Sequence, residues 1–164
     1  MDAFSAALND LLVNTFNSIL RLEEDSLRHL SGGKLSISEM HFLEAVGKGG
    51  QGGRSITDIA RELAITLPSV TAAVNKLEKK GYLIKARNET DKRVVNVSLS
   101  REGQRAEAAH RFFHRQMVHG VSDGLEDGQR SALLKGLENL HAFFRNQERA
   151  QVVLPQFTRE GQDS

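Results

Sequence analysis

The sequence predicts a mainly α-helical fold with one small β-hairpin. Three observations predict it. Apolar residues recur at three- and four-residue steps along most of the chain, the spacing that lines one face of a helix. The 164 residues include only two prolines and one tyrosine, which favours helices over an all-β fold. Two runs near the middle alternate apolar with polar residues, as half-buried strands do. This length suits one domain, or one compact unit with extensions.

The first segment, from about Phe4 to Leu30, carries Leu12, Phe16, Ile19, Leu20, Leu27 and Leu30 at helical spacing. Glu23 falls on that apolar stripe, whereas Glu24 is turned further away. A carboxylate on a buried stripe needs a partner, because burying it alone is very costly. The glycines of "SGGK", 31–34, end this helix. A second helix opens at "SISE", where Ser36 and Glu39 form a capping-box pattern, and it carries Met40, His41, Phe42, Leu43 and Val46. The following "GKGGQGGR" has no strand before it and no G-K-[ST] ending. It predicts a flexible connector rather than a phosphate loop.

Residues 55–83, "SITDIARELAITLPSVTAAVNKLEKKGYL", read as two short helices. Ile56, Ile59, Ala60 and Leu63 form the first, broken around "AITLPS". The second starts near Pro68, where a missing N–H is no loss, and turns Val70, Val74 and Leu77 inward. Two short helices joined by a tight turn make a helix-turn-helix. In "YLIKARNETDKRVVNVSLS", Tyr82, Ile84 and Ala86 alternate with charged residues, and Val95, Val97 and Leu99 with polar ones. These are two strands with "NETDKR" as the hairpin tip. Ser100 caps a further helix through "REGQRAEAAHRFFHRQMVHGV", and a last one runs from about Asp127 to Ala150. The tail, 151–164, reads as partly disordered.

Net charge is only +1, so affinity for nucleic acid has to come from a local patch. One exists. From Lys76 to Arg93, seven basic residues (Lys76, Lys79, Lys80, Lys85, Arg87, Lys92, Arg93) face three acidic ones (Glu78, Glu89, Asp91). That excess sits on the second helix of the pair and on the hairpin. A major groove accepts one helix, and a basic hairpin tip can reach the neighbouring minor groove. Ser69, Thr71, Asn75 and Lys76 lie on the exposed side of the expected recognition helix. The absence of cysteine excludes disulfides and thiolate metal sites and suits a reducing cytoplasm. Neither a signal peptide nor a membrane-spanning run is expected.

The stretch "DIARELAITLPSVTAAVNKLEKKGYLIKARNETDKRVVNVSLSREG" resembles the winged helix-turn-helix core of the MarR family. The likeness includes the "LEKKGYL" helix end, the "DKR" of the wing and the "LSREG" entry to the next helix, and helices on both sides extend it from about residue 8 to 147. The resemblance implies a homodimeric transcriptional regulator on a pseudo-palindromic operator of double-stranded DNA. It implies a dimerisation helix in 1–34, the winged DNA-binding lobe in 35–100, dimerisation helices in 101–150 and a tail in 151–164. It also places Arg93, beside Lys92, in the minor groove, with Asp91 orienting it.

Histidines at i and i+4, such as His110 and His114 in "HRFFH", share one helix face and can hold one metal ion. With His41 and the stripe-facing Glu23 they complete a tetrahedral set for zinc, three imidazoles and one carboxylate, from elements expected to meet in this fold. The set is similar to that of zinc-sensing MarR members controlling zinc uptake genes. The resemblance implies a repressor with zinc as co-repressor. Some of those sensors have a second site. Here His29 stands where its cysteine would be, Met40 precedes His41 and Ala109 precedes His110, so one strong site per subunit is expected, with His29 left for a weak one. His119 and His141 lack such company. Ligand type alone does not separate zinc from nickel, cobalt or copper. The alternative input is a small organic effector that releases the protein from DNA. An enzyme is not expected, because four protein ligands would close the metal site and no acidic residue is placed as a base.

Overall fold

A 29-residue helix, α1 (Ala3–Ser31), opens the computed structural model, which describes residues 2–87 and 95–150. Asp2 accepts the Ser5 N–H as N-cap, and Gly32 ends the helix with φ +61°. Helix α2 (Ile37–Gly47) starts on the expected capping box: Ser36 Oγ accepts the Glu39 N–H, and Glu39 Oε2 accepts the Ser36 N–H. Met40, Phe42, Leu43, Ala45 and Val46 are buried, so α2 is apolar on nearly every side. A helix of that kind belongs inside a core. His41 and Ser38 are its exposed residues.

The glycine-rich connector is more ordered than its composition predicts. Gly50–Gly52 form one 3-10 turn, and strand β1 (Arg54–Ser55) follows. Gly53 makes the approach possible, because its φ is +66° and an added Cβ would lie 2.8 Å from the Val97 carbonyl oxygen. Ser55 Oγ then accepts the Asp58 N–H to cap α3 (Ile56–Leu63). Ala64, in the left-handed region at φ 53°, turns the chain into α4 (Leu67–Lys79), capped by Thr66 with Pro68 in the first turn. Val70, Val74 and Leu77 face the core as expected.

Strands β2 (Leu83–Arg87) and β3 (Val95–Leu99) pair antiparallel, Leu83 with Leu99 and Arg87 with Val95. β1 adds to the other edge of β3, giving the order β1-β3-β2. The pleat of β2 differs in phase from the expected alternation. Leu83 points into the core, while Ile84 and Ala86 are exposed, because the strand begins one residue after Tyr82. Helix α5 (Arg101–Ser122) follows, its first turn capped by Ser100 Oγ, which accepts the Gly103 N–H. Helix α6 (Asp127–Ala150) completes the described chain.

The chain divides into two units, Met1–Met117 and Val118–Ser164. The first holds the core, in which Leu27, Met40, Leu43, Val46, Ile59, Val70, Val74, Leu77, Val97 and Ala106 pack together. The first two-thirds of α1 does not share it: Phe4, Leu11 and Phe16 are exposed, Phe16 by 64%. In the second unit Leu134, Leu137, Phe143 and Phe144 are exposed on α6. No helix of the described residues is long and apolar enough to cross a membrane.

Candidate functional site

Three helices converge on one buried carboxylate. Glu23 sits one turn before Leu27 on the buried stripe of α1 and is 3% exposed. His110 is 1% exposed and continues the buried stripe of Gly103 and Ala106 along α5. His41, on the solvent side of α2, leaves its ring about half exposed. Glu23 Oε1 lies 2.8 Å from His110 Nε2 and 3.0 Å from His41 Nε2. A carboxylate oxygen accepts and does not donate, so Glu23 is satisfied by whichever of these ring nitrogens carries its proton. This answers the cost of burying Glu23, and no buried side-chain polar atom among the described residues lacks a partner.

A fourth group enters that sequence reasoning missed. Glu44, one turn beyond His41 on α2, places Oε1 2.8 Å from His110 Nδ1. His110 is therefore held by a carboxylate on each ring nitrogen. The i, i+3 spacing from His41 was the available signal, since both lie on one side of α2. A glutamate on a helix is ordinarily solvated, which hid it.

The four predicted ligands are not all brought together. Ligand atoms of Glu23, His41 and His110 lie within 4.8 Å of one another, while His114 falls in a different grouping, with His110 and Glu44. Its ring meets that of His110 edge to face, centroids 4.4 Å apart. Glu24 is exposed and joins neither grouping, whereas Glu23 is buried within one. His29 joins neither grouping and instead contacts the Asp25 carbonyl oxygen through Nδ1 at 2.6 Å. The chemistry available is that of two imidazoles and a carboxylate, with Glu23 and His110 shielded from water and His41 half exposed, a set suited to a divalent cation. Zinc bonds of about 2.0–2.1 Å would separate tetrahedral ligand atoms by about 3.3 Å. The contacts of 2.8 and 3.0 Å are shorter than that by a few tenths of an ångström, within the reach of side-chain adjustment. A cleft of about 500 Å³ opens beside this cluster, lined among others by His41, Glu44, Leu63 and Arg111.

The second predicted site lies on α4, where Ser69, Thr71, Asn75 and Lys76 are all exposed. All four have partners within the chain: Ser69 Oγ contacts Thr66 Oγ1 at 2.8 Å and Thr71 Oγ1 donates to the Leu67 carbonyl oxygen at 3.0 Å, both within α4 or its cap. Asn75 Oδ1 accepts a hydrogen bond from Lys85 Nζ at 2.8 Å, and Lys76 Nζ pairs with Glu39 Oε1 at 2.9 Å. Glu39 also accepts Lys80 Nζ through both oxygens. Burial alone would raise the Glu39 pKa, but the Lys80 hydrogen bond, the Ser36 N–H and Lys76 together lower it to about 2. Lys92 and Arg93 lie outside the described residues.

Comparison with known proteins places this geometry among relatives. A family model described as MarR family matches residues 34–94. YwhA, an uncharacterized HTH-type transcriptional regulator of Bacillus subtilis (strain 168), is 29% identical over 83 residues, which are 51% of this chain. The chain spans 60% of that regulator's length. A crystal structure of FabT from Streptococcus pneumoniae in complex with DNA is 34% identical, covering 87% of this chain and 98% of that one, with a TM-score of 0.78. The MepR–DNA complex of S. aureus is 18% identical over 82% of this chain and 95% of that one, with a TM-score of 0.62, a likeness of fold.

Proposed function

The chain belongs to the MarR family, whose members are DNA-binding transcription regulators rather than enzymes, and on that premise we propose a homodimeric, operator-binding repressor with zinc as co-repressor. DNA binding is supported by the exposed polar and basic face of α4 and by the DNA-bound state of the 34% identical FabT. Dimerisation is supported by the apolar side chains that α1 and α6 each leave in water.

The observation that carries the metal input is the convergence of Glu23, His41 and His110 from three helices onto one oxygen. The proposal keeps these three as ligands and sets His114 aside, since its ring belongs to the other grouping. Zinc, when bound, supplies bonds in place of the two hydrogen bonds to Glu23, tying α2 to α1 and α5 more firmly. The chain's own residues carry the rest. α2 bears His41 and also Glu39, whose carboxylate holds Lys76 of the recognition helix and Lys80 at its C-cap. A fixed α2 thus fixes the seat of α4. DNA affinity rises when that seat matches the groove, a coupling of typically about 1–3 kcal/mol, and by linkage operator DNA tightens the metal equally.

Operator titration at fixed salt, with and without chelator, tests this reading. Chelation and His41→Ala are each expected to weaken operator binding. Unchanged affinity in both would remove zinc from the mechanism and leave the DNA-binding reading intact. The cleft beside His41 favours one second reading, release from DNA by a small organic effector. A purified dimer without stoichiometric metal and without a zinc-dependent thermal shift would select it.

A further inference from the structure

A neutral imidazole has one N–H and one lone pair, so His110 can give a cation only one of its nitrogens. The two groupings that share it are therefore alternatives. A cation beside Glu23 and His41 takes Nε2 and leaves Nδ1–H directed at Glu44. One beside Glu44 and His114 takes Nδ1 and leaves Nε2–H directed at Glu23. We propose that Glu44 is the positioning residue of the site: it accepts the Nδ1–H of His110 and so assigns Nε2, on the Glu23–His41 side, to the cation.

Electrostatics favour that side. The Glu23 side chain is 4% exposed and that of Glu44 is 33% exposed. A dication gains most beside the carboxylate that water screens least. Glu44 remains partly hydrated and loses least by staying a hydrogen-bond acceptor. The geometry reinforces the choice, because His41 and Glu44 stand one turn apart on α2. One rigid helix therefore presents His41 to Glu23 and Glu44 to the far edge of His110. Carboxylates that accept the second N–H of a ligating histidine raise its basicity and fix its ring, and losing one typically weakens metal binding by about 10–100-fold.

The inference rests on the metal reading above, and the experiment separates the two. Zinc(II) affinity is measured by chelator competition on the full-length wild type and on E44L, E44Q, H114A and H41A. E44L is expected to bind about 10–100-fold more weakly. E44Q, whose amide oxygen still accepts the Nδ1–H, and H114A are expected to stay close to wild type, while H41A loses the most. E44Q and H114A both failing while H41A binds normally would make Glu44 a ligand and overturn the proposal, and those three variants decide the matter even if E44L does not fold. If the wild type binds no zinc, the metal reading fails, and Glu44 is judged on the metal-free protein by imidazole ¹⁵N–¹H spectra. A His110 Nδ1–H protected from exchange in wild type and E44Q but lost in E44L supports the positioning role. Its persistence in E44L refutes it.

Discussion

Replacing Glu39 by glutamine isolates an ion-pair contribution, because glutamine still closes a capping box and still accepts the Ser36 N–H. Only the charge facing Lys76 and Lys80 disappears. A folded-state pKa of about 2 against an ordinary 4.5 is about 2.5 units, a ceiling of about 3.4 kcal/mol. The lysine side chains are 63% and 30% exposed, and part of the shift comes from Ser36, so E39Q is expected to cost about 1–2 kcal/mol at pH 7. The sign follows from the depressed pKa. The contribution is complete above the unfolded value of 4.5 and is lost as pH falls through about 2, with more than half gone by about pH 3. Urea midpoints of wild type and E39Q at pH 7 and pH 3 measure the difference. An equal gap at both pH values, or none at pH 7, would refute the assignment of the shift to these ion pairs.

Two further substitutions test the packing. Gly103→Ala puts a Cβ 2.1 Å from the Tyr82 carbonyl oxygen, which the Ser100 N–H already engages at 2.9 Å. Better helix propensity offers about 1 kcal/mol, but a clash with backbone outweighs it, so thermal melting is expected to show net destabilisation of about 1–3 kcal/mol. A higher melting temperature would contradict the close approach. Leu77→Ala, at a fully buried position where α4 meets the core, is expected to lower stability by about 2–5 kcal/mol in denaturant titration and to weaken operator binding through partial unfolding. Normal DNA binding with a loss under 1 kcal/mol would argue against α4 being held by this contact.

Legibility in the sequence followed the range of the interaction. The capping box at Ser36 and Glu39, the inward Val70, Val74 and Leu77, and the stripe position of Glu23 are local, set by helical period, and all appear in the fold. β1 was not legible, because two residues are too few to alternate and its partner β3 lies about forty positions away. The pleat of β2 depended on where pairing with β3 begins, which apolar content near Tyr82 did not reveal. At the site, spacing placed His110 and His114 on one helix face but said nothing of which ring edge meets which carboxylate. That depends on side-chain rotamers and on neighbouring helices, and it is why Glu44 went unseen and why spacing did not show that His114 groups with His110 and Glu44.

β3 is hydrogen-bonded along both edges, to β1 by Arg54–Val97 and Ser55–Asn96 and to β2 throughout. One residue added within 95–99 would slip that register and turn Val97 out of the interior. Residues added between 87 and 95 leave every rung of the ladder in place. Selection can therefore change the length of the connection between β2 and β3 while its base stays constant, a variable that descendants of this protein can tune without refolding the rest.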